Sequence, residues 1–135
     1  MKHYVAYHST EGMGYPLKIS NKGACFVSNK GLQYLKSVLG EKVWIITGTK
    51  RKSKRKAYYL VGYYIPSVIT RSSDRDFAWS VDGEESHGVK LPVYLNDCEW
   101  FPALFRSQGS FAFGITEIRQ PEIVKALEQL LEDGA

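Results

Sequence analysis

The residues most able to do chemistry form a short run of cations. Residues 50–56 read KRKSKRK and hold six cations in seven positions. Because the whole chain has a net charge of +4, the remainder carries −2, so the basicity is local. Clustered Lys and Arg side chains neutralise phosphates and release counterions, which gives affinity without reading sequence. The alternatives are a solvated loop or another acidic partner. The residues predicted to contact nucleic acid are Lys50, Arg51, Lys52, Lys54, Arg55 and Lys56.

Aromatic side chains are the second candidate group. They make up 13% of the chain, and nine Tyr with three Trp exceed what one small core requires. Rings that face solvent can stack on nucleobases, and a base turned out of its helix also needs contacts along its edge. The alternative for each ring is ordinary packing in a core or on a sheet. The candidates for a base-stacking pocket are Trp44, Tyr63, Tyr64, Trp79, Trp100 and Phe111.

A search for catalytic and metal-binding groups is negative. His3 and His8 lie five residues apart on one predicted strand, so their side chains point to opposite faces. The remaining histidine, His87, has no predicted partner. Two cysteines without CxxC spacing or neighbouring histidines do not form a disulfide framework or a zinc site. The chain has no phosphate-loop, dinucleotide or nucleophile-elbow pattern. We expect no enzyme activity and no cofactor.

The elements that must position these residues are mainly strands. Alternation and β-branched or aromatic residues predict strands at 3–8, 42–48, 57–70, 77–81, 89–95 and 111–118, with a short one at 25–27. The cationic run lies between two of them, at the tip of a predicted hairpin. Residues 82–88 read as a polar loop. Gly62 indicates a bulge or a close backbone approach, and Pro66 an edge or a bend.

Three helices are predicted around these strands. Residues 28–39 have apolar side chains at helical spacing, with Ser28 or Asn29 as the cap and Gly40 as the stop. A short helix is expected at 97–106. The clearest helix begins at Pro121, with one apolar stripe along it. That stripe consists of Ile123, Val124, Leu127, Leu130 and Leu131.

Length and pattern define the expected architecture. A chain of 135 residues fits one domain, so residues 1–135 are predicted to fold as a unit with one proper core. Strands joined mostly by short loops predict an α+β fold with a mixed, mostly antiparallel sheet, strongly curved or closed as a small β-barrel, with flanking helices. The N-terminus lacks a secretory signal, and no segment has the length of apolar chain that a membrane span needs. We expect a cytoplasmic protein.

Three segments resemble a known family. The opening HYVAYHS of residues 3–9, followed by Met13, Gly14 and Tyr15, is similar to the start of PUA-like domains of the EVE-like branch. Residues 43–48 (VWIITG) with 58–64 (YYLVGYY) resemble the central hairpin of that family. Residues 105–115 (FRSQGSFAFGI) resemble its closing segment. The resemblance runs over most of the chain, although each motif is short.

The resemblance implies a small mixed β-barrel that binds nucleic acid, often with a modified base in an aromatic-lined pocket. By similarity, the pocket would draw on Ser9, Met13, Gly14, Tyr15, Trp79, Arg106, Ser107 and Phe111, to which the ring survey adds Trp44. Members of this branch include modules fused to nucleases, and this sequence has no such domain, so any effector would be a separate protein.

Two other functions stay open at this point. One is a small-molecule or nucleotide-binding domain built on the same barrel and pocket. The other is a protein-interaction module, of the defence or toxin–antitoxin type, in which Trp100, Phe101 and the last helix form the contact surface. A hydrolase with unrecognised machinery is a further alternative.

Overall fold

The strands of this chain form two sheets that pack on each other. The computed structural model describes residues 1–9, 23–50, 56–111 and 114–134, without the side chains of Ser9, Lys50 and Ser110. That part of the chain contains eight strands and three α-helices. The strands are β1 (His3–Ser9), β2 (Ala24–Ser28), β3 (Lys42–Lys50), β4 (Lys56–Ile65), β5 (Val68–Arg71), β6 (Trp79–Gly83), β7 (Glu85–Tyr94) and β8 (Thr116–Glu117).

The larger sheet has five strands in the order β7-β4-β3-β1-β8, and the smaller has the order β2-β6-β5. Only β1 and β3 pair in parallel, from His3 opposite Lys42 to Ser9 opposite Gly48. The other described pairs are antiparallel. The α+β, mostly antiparallel prediction is thus confirmed. Within the described ranges, however, the two sheets stay separate and do not close into a barrel.

The five-stranded sheet has a core on each face, because strand side chains alternate. Val5 of β1 joins the first core, whereas Tyr4 and Ala6 join the second. Helices α2 (Phe101–Ser107) and α3 (Pro121–Gly134) supply residues to the first core. Helix α1 (Leu32–Val38) and the smaller sheet supply residues to the second. A sheet covered on both faces fixes the position of side chains at its ends.

Helix α1 is shorter than predicted and is not capped as expected. It begins after Gly31, which makes no side-chain cap hydrogen bond. Ser28 ends β2, and the Asn29 side chain is used elsewhere, accepting from Ala78 N and donating to Asp76 O. The prediction of either residue as the cap is therefore wrong. The stop at Gly40 is confirmed, with a left-handed φ of 80°.

The predicted strand at 57–70 is two strands separated by a bend at Pro66. Gly62 lies at a register shift in β4, as predicted, and a Cβ there would lie 2.2 Å from the backbone oxygen of His87. The polar loop predicted at 82–88 is wrong, because β6 and β7 are separated there by Glu84 alone. Polar residues occur in this region because β7 is an edge strand with exposed positions.

The end of the chain follows the prediction in its helix but not in its strand. Helix α3 begins at Pro121 and buries Ile123 and Leu127 on its apolar stripe. The strand predicted at 111–118 is reduced in the structure to β8, the two residues Thr116–Glu117. Phe111 instead belongs to a 3₁₀ turn, Gly109–Phe111, because its left-handed backbone cannot continue a strand. No described helix has the length and apolar character needed to cross a membrane.

Candidate nucleic-acid interface

Five rings from four different elements meet at one end of the large sheet, where β1 ends and β4 begins. Phe111 stacks on Tyr7 with ring centroids 5.0 Å apart and planes 4° from parallel. Tyr58 contacts Phe101 and Phe105, each at 5.4 Å, and Phe111 at 5.5 Å. We call this group the aromatic cluster. Its members are Tyr7, Tyr58, Phe101, Phe105 and Phe111.

The position of Tyr7 in the aromatic cluster depends on a glycine in the neighbouring strand. A Cβ at Gly48 would lie 1.9 Å from the phenol oxygen of Tyr7. The missing side chain at Gly48 therefore leaves space for the ring to lie across β3. Alternation along β1 places Tyr7 on the same face as Val5, which belongs to the first core.

Phe111 has an unusual backbone conformation. Its φ is 64°, and it is the one non-glycine residue with positive φ among those described. Gly109 and Gly114, at φ 57° and 79°, lie on either side of it. A bulky residue in this region costs about 1–3 kcal/mol and persists only where its surroundings fix it. The stack on Tyr7 supplies that constraint, and backbone strain of this kind concentrates at binding and catalytic sites.

A cleft of about 450 Å³ opens beside the aromatic cluster. We call it the aromatic cleft. Asn96 holds its wall to the start of β4, since its amide accepts from Tyr58 N at 2.8 Å and donates to Lys56 O at 2.9 Å. The rings supply apolar surface, and Lys56 and Asp97 supply charge. The lining residues are Lys56, Tyr58, Tyr94, Asn96, Asp97, Phe101, Pro102 and Phe105.

The cationic run starts and ends at this cleft. Lys50 and Lys56 are paired across β3 and β4, which confirms the predicted hairpin. The exposed Lys56 ammonium lies 5.9 Å from the centre of the Tyr7 ring, within cation–π range. Arg51, Lys52, Lys54 and Arg55 lie outside the described residues, as does the Lys50 side chain. The described end of the run therefore adjoins the aromatic cluster.

The pocket predicted from the sequence is only partly described. Met13, Gly14 and Tyr15 lie outside the described residues, and Ser9 is described only by its backbone, opposite Gly48. Phe111 belongs to the aromatic cluster. Arg106 and Ser107 are exposed at the end of α2, just before the turn that carries Phe111. The Ser107 hydroxyl donates to Leu104 O at 2.9 Å.

The assignment of Trp44 to the pocket is wrong. Trp44 has no exposed surface and belongs to the first core. Its Nε1–H donates to His3 Nδ1 at 3.0 Å, and the two rings stack at 6.2 Å. Burial lowers the pKa of His3, which agrees with a neutral imidazole that accepts at Nδ1. Trp44 is a structural residue whose polar atom finds its partner inside the protein.

The other candidate rings have separate locations. Tyr64 is also fully buried, and its hydroxyl donates to Val81 O at 2.9 Å, so it cannot stack on a ligand. Trp79 is half-buried on the smaller sheet, packed on the second core, with the Arg71 guanidinium 5.6 Å from its ring. Tyr63 contacts Trp44, and Trp100 contacts Phe101. None of these four rings belongs to the aromatic cluster.

Three members of the aromatic cluster were missed by the sequence analysis. Tyr7 and Tyr58 were treated as ordinary strand residues, and Phe105 as part of a short helix. The available signals were the helical spacing of Phe101 and Phe105 and the position of Tyr7 at the end of its strand. The register between strands brings these signals together, and it cannot be obtained from the spacing alone.

The described residues offer no reactive nucleophile at Cys25. Its thiol lies 3.0 Å from the Ser80 hydroxyl, which donates to an Asp82 carboxylate oxygen at 2.6 Å. Burial, together with Asp82, raises the pKa of Cys25, so the thiol stays protonated and weakly nucleophilic. Among the described residues, no group of three or more His, Cys, Asp or Glu side chains could hold a metal ion.

Comparison with known proteins gives one informative likeness. No family model matches the chain, and no curated protein matches it in sequence. A crystal structure of the human THYN1 protein, in complex with DNA that contains 5-methylcytosine, is similar with a TM-score of 0.55 and 14% sequence identity. The likeness covers 98% of each chain. It confirms, at the level of the fold, the resemblance to EVE-like domains of the PUA-like type.

Proposed function

We propose that this chain is a nucleic-acid-binding domain that binds its ligand without transforming it. The observation that carries the proposal is the position of Lys56, which lies at the aromatic cleft with its ammonium over the Tyr7 ring. Cations of the 50–56 run contact phosphates, and the aromatic cluster offers apolar surface to sugars and bases. A cationic hairpin beside exposed rings is the usual chemistry of nucleic-acid grooves.

Energetics favour a combined role for charge and rings. Six cations in seven residues repel one another, and phosphates offset that repulsion while releasing counterions. Stacking on an aromatic side chain contributes roughly 1–3 kcal/mol per base. Phosphate contacts position the strand, and ring contacts select what is presented to them. We place the phosphates along the hairpin and the bases toward the aromatic cluster.

We further propose that the site reads a modified base. The similar THYN1 structure is a complex with DNA that contains 5-methylcytosine, which supports this finer proposal. The strained turn at Phe111 adds support, because such strain is typical of ligand-binding segments. A nucleic-acid ligand implies action inside the cell. The residues proposed for the pocket are Ser9, Met13, Gly14, Tyr15, Trp79, Arg106, Ser107 and Phe111.

The proposal is tested by the salt dependence of oligonucleotide binding. A hairpin variant carries Arg51→Gln, Lys52→Gln and Lys54→Gln. A matched control carries Lys36→Gln, Arg75→Gln and Lys90→Gln, which removes the same charges from exposed positions elsewhere. Fluorescence anisotropy should give a log Kd against log salt slope that is lower by about 2–3 in the hairpin variant, at ~0.9 per lost phosphate contact. The control should keep the wild-type slope.

The same titration addresses the base. Wild-type protein should bind a strand with one 5-methylcytosine about tenfold more tightly than the unmethylated strand, a difference of ~1.4 kcal/mol. Equal affinities would remove the modified-base step and leave the general one. If wild-type protein binds neither strand at low salt, nucleic-acid binding itself is excluded, and thermal stabilisation by nucleotides alone would point to a small-molecule site.

A further inference from the structure

A second cationic surface lies at the opposite edge of the large sheet from β7. Two adjoining cavities, of about 490 and 410 Å³, open along β8 and the segment that follows it. They share Glu117 and Arg119, so they form one continuous depression. We call it the β8 groove. Strand β8 has only two residues, which leaves this edge of the sheet open to a ligand.

The β8 groove concentrates positive charge outside the 50–56 run. The lining of its two cavities includes four cations and one carboxylate, Glu117. Elsewhere in the chain acidic residues are in excess, since the net charge without the 50–56 run is −2. A net charge of +3 in the groove is therefore a local feature. The cations are Lys2, Lys30, Arg119 and Lys125.

These cations are available to an anionic ligand. The Lys30 ammonium lies 5.0 Å from the centre of the Tyr34 ring and has no carboxylate within 4.0 Å among the described residues. Arg119 is 85% exposed and meets Glu117 only through Nε, at 3.8 Å. Its two terminal nitrogens are thus free of that contact. Lys125 is exposed on the first turns of α3.

The groove also contains one acceptor without a partner. The side-chain oxygen Oε1 of Gln120 is buried and accepts no hydrogen bond from the described residues. A buried acceptor left unpaired costs about 1–3 kcal/mol, and a ligand with a hydroxyl or amino group would remove that cost. Cations that bind phosphate, together with an acceptor for a hydroxyl or amino group, suit the backbone and bases of a nucleic acid.

We propose that the β8 groove binds the sugar–phosphate backbone of the same nucleic acid that enters the aromatic cleft. This inference rests on the proposed function. Strands β4 and β8 are separated by three inter-strand spacings, which amounts to about 14 Å. A long strand can span both surfaces, whereas a short one can occupy only one of them. The groove therefore extends the length of nucleic acid that the domain contacts.

The edge position suggests another role for these cations, namely protection of an open sheet edge against pairing with another chain. That role explains charge beside a short edge strand, but it predicts no effect on nucleic-acid binding. The two roles are thus separated by how affinity depends on the length of the oligonucleotide.

The test uses a groove variant with Lys30→Gln, Arg119→Gln and Lys125→Gln. Its control is again Lys36→Gln, Arg75→Gln and Lys90→Gln, with the same two Lys and one Arg removed. On a strand of about 16 nucleotides, the groove variant should lower the slope of log Kd against log salt by about 2. On a strand of about four nucleotides it should bind as the control does.

Two results would overturn the groove without touching the proposed function. One is a groove variant that matches the control on the long strand. The other is an equal loss on long and short strands, which would indicate a general electrostatic effect. Failure of the proposed function is distinguishable from both, because wild-type protein would then bind neither strand. Circular dichroism melting of each variant verifies that the chain is folded in every comparison.

Discussion

Single residues decide which rings of this chain can meet a ligand. Trp44 and Tyr7 lie on adjacent strands and belong to the same side of the sheet, yet only Tyr7 joins the aromatic cluster. The difference lies in the polar partner and the end of the sheet. Trp44 donates to His3 under complete burial, whereas Tyr7 lies near the strand end with Lys56 above it.

The contact between His3 and Trp44 makes a pH-dependent contribution to stability. Because burial lowers the pKa of His3 below 6.5, the unfolded chain binds the proton more readily than the folded one. The contribution is thus complete above pH 6.5 and is lost as the pH falls through the folded pKa. The melting temperature of wild-type protein should fall over this window more than that of His3→Gln, which keeps an acceptor but does not titrate.

The comparison is made by melting both proteins between pH 7.5 and pH 4.5 in buffers of constant ionic strength, a range chosen to bracket the roughly 6.5 pKa of an unfolded histidine. Parallel melting curves would show that His3 binds its proton equally in both states. The hydrogen bond from Trp44 Nε1 to His3 Nδ1 would then be incorrectly described.

Residue types in the sequence were sufficient to identify the cationic run but not the rings beside it. The run is a continuous stretch of charge, so its composition alone carries the prediction. A ring is different, because Trp, Tyr and Phe serve a core and a binding surface equally well. The choice between them depends on the neighbouring strands, and this is why Trp44 was assigned wrongly and Tyr58 was missed.

At the scale of secondary-structure elements, local patterns were predicted best where one face of the element is buried. Helix α3 has a single apolar stripe, and both its start at Pro121 and its buried face agree with the sequence. Strand β7 is an edge strand with polar, exposed positions, and its first half was mistaken for a loop. Side chains at an edge are not selected for burial, so their pattern carries little information.

Helix α3 should stabilise the sheet rather than contribute directly to the aromatic cleft. Leu127 has no exposed surface and packs in the first core, so Leu127→Ala should reduce the free energy of unfolding by about 2–5 kcal/mol. The exposed Glu132→Ala is the matched control on the same helix and should change it by less than about 0.5 kcal/mol. Urea unfolding measures both. A loss below ~1 kcal/mol for Leu127→Ala would mean that α3 is not docked as described.

The whole molecule brings together residues that the sequence separates widely. Tyr7, Tyr58 and Phe105 become neighbours because β1 and β3 pair in parallel and β4 pairs with β3. Hairpins such as β3–β4 can be predicted locally, but a parallel pair joined by a long crossover cannot. The sequence therefore indicated the fold class and its resemblance, whereas the division into two sheets came from the structure.

Charge is also organised at this scale. One cationic surface begins at Lys56 beside the aromatic cleft, and the other lies along the β8 groove at the far edge. The sequence shows the first as a continuous run and hides the second, whose cations come from residues 2, 30, 119 and 125. A strand that contacts both would cross the end of the sheet where Tyr7 and Phe111 are stacked.

The central claim, that nucleic acid binds at the aromatic cleft, is tested most directly by amide chemical shifts during titration with a methylated oligonucleotide. The account predicts that the largest shifts occur at Tyr7, Lys56, Tyr58 and Phe105, with smaller ones along the β8 groove. Shifts confined to other surfaces, such as the exposed side of α1, or no shifts at an oligonucleotide concentration of about 1 mM, would contradict it.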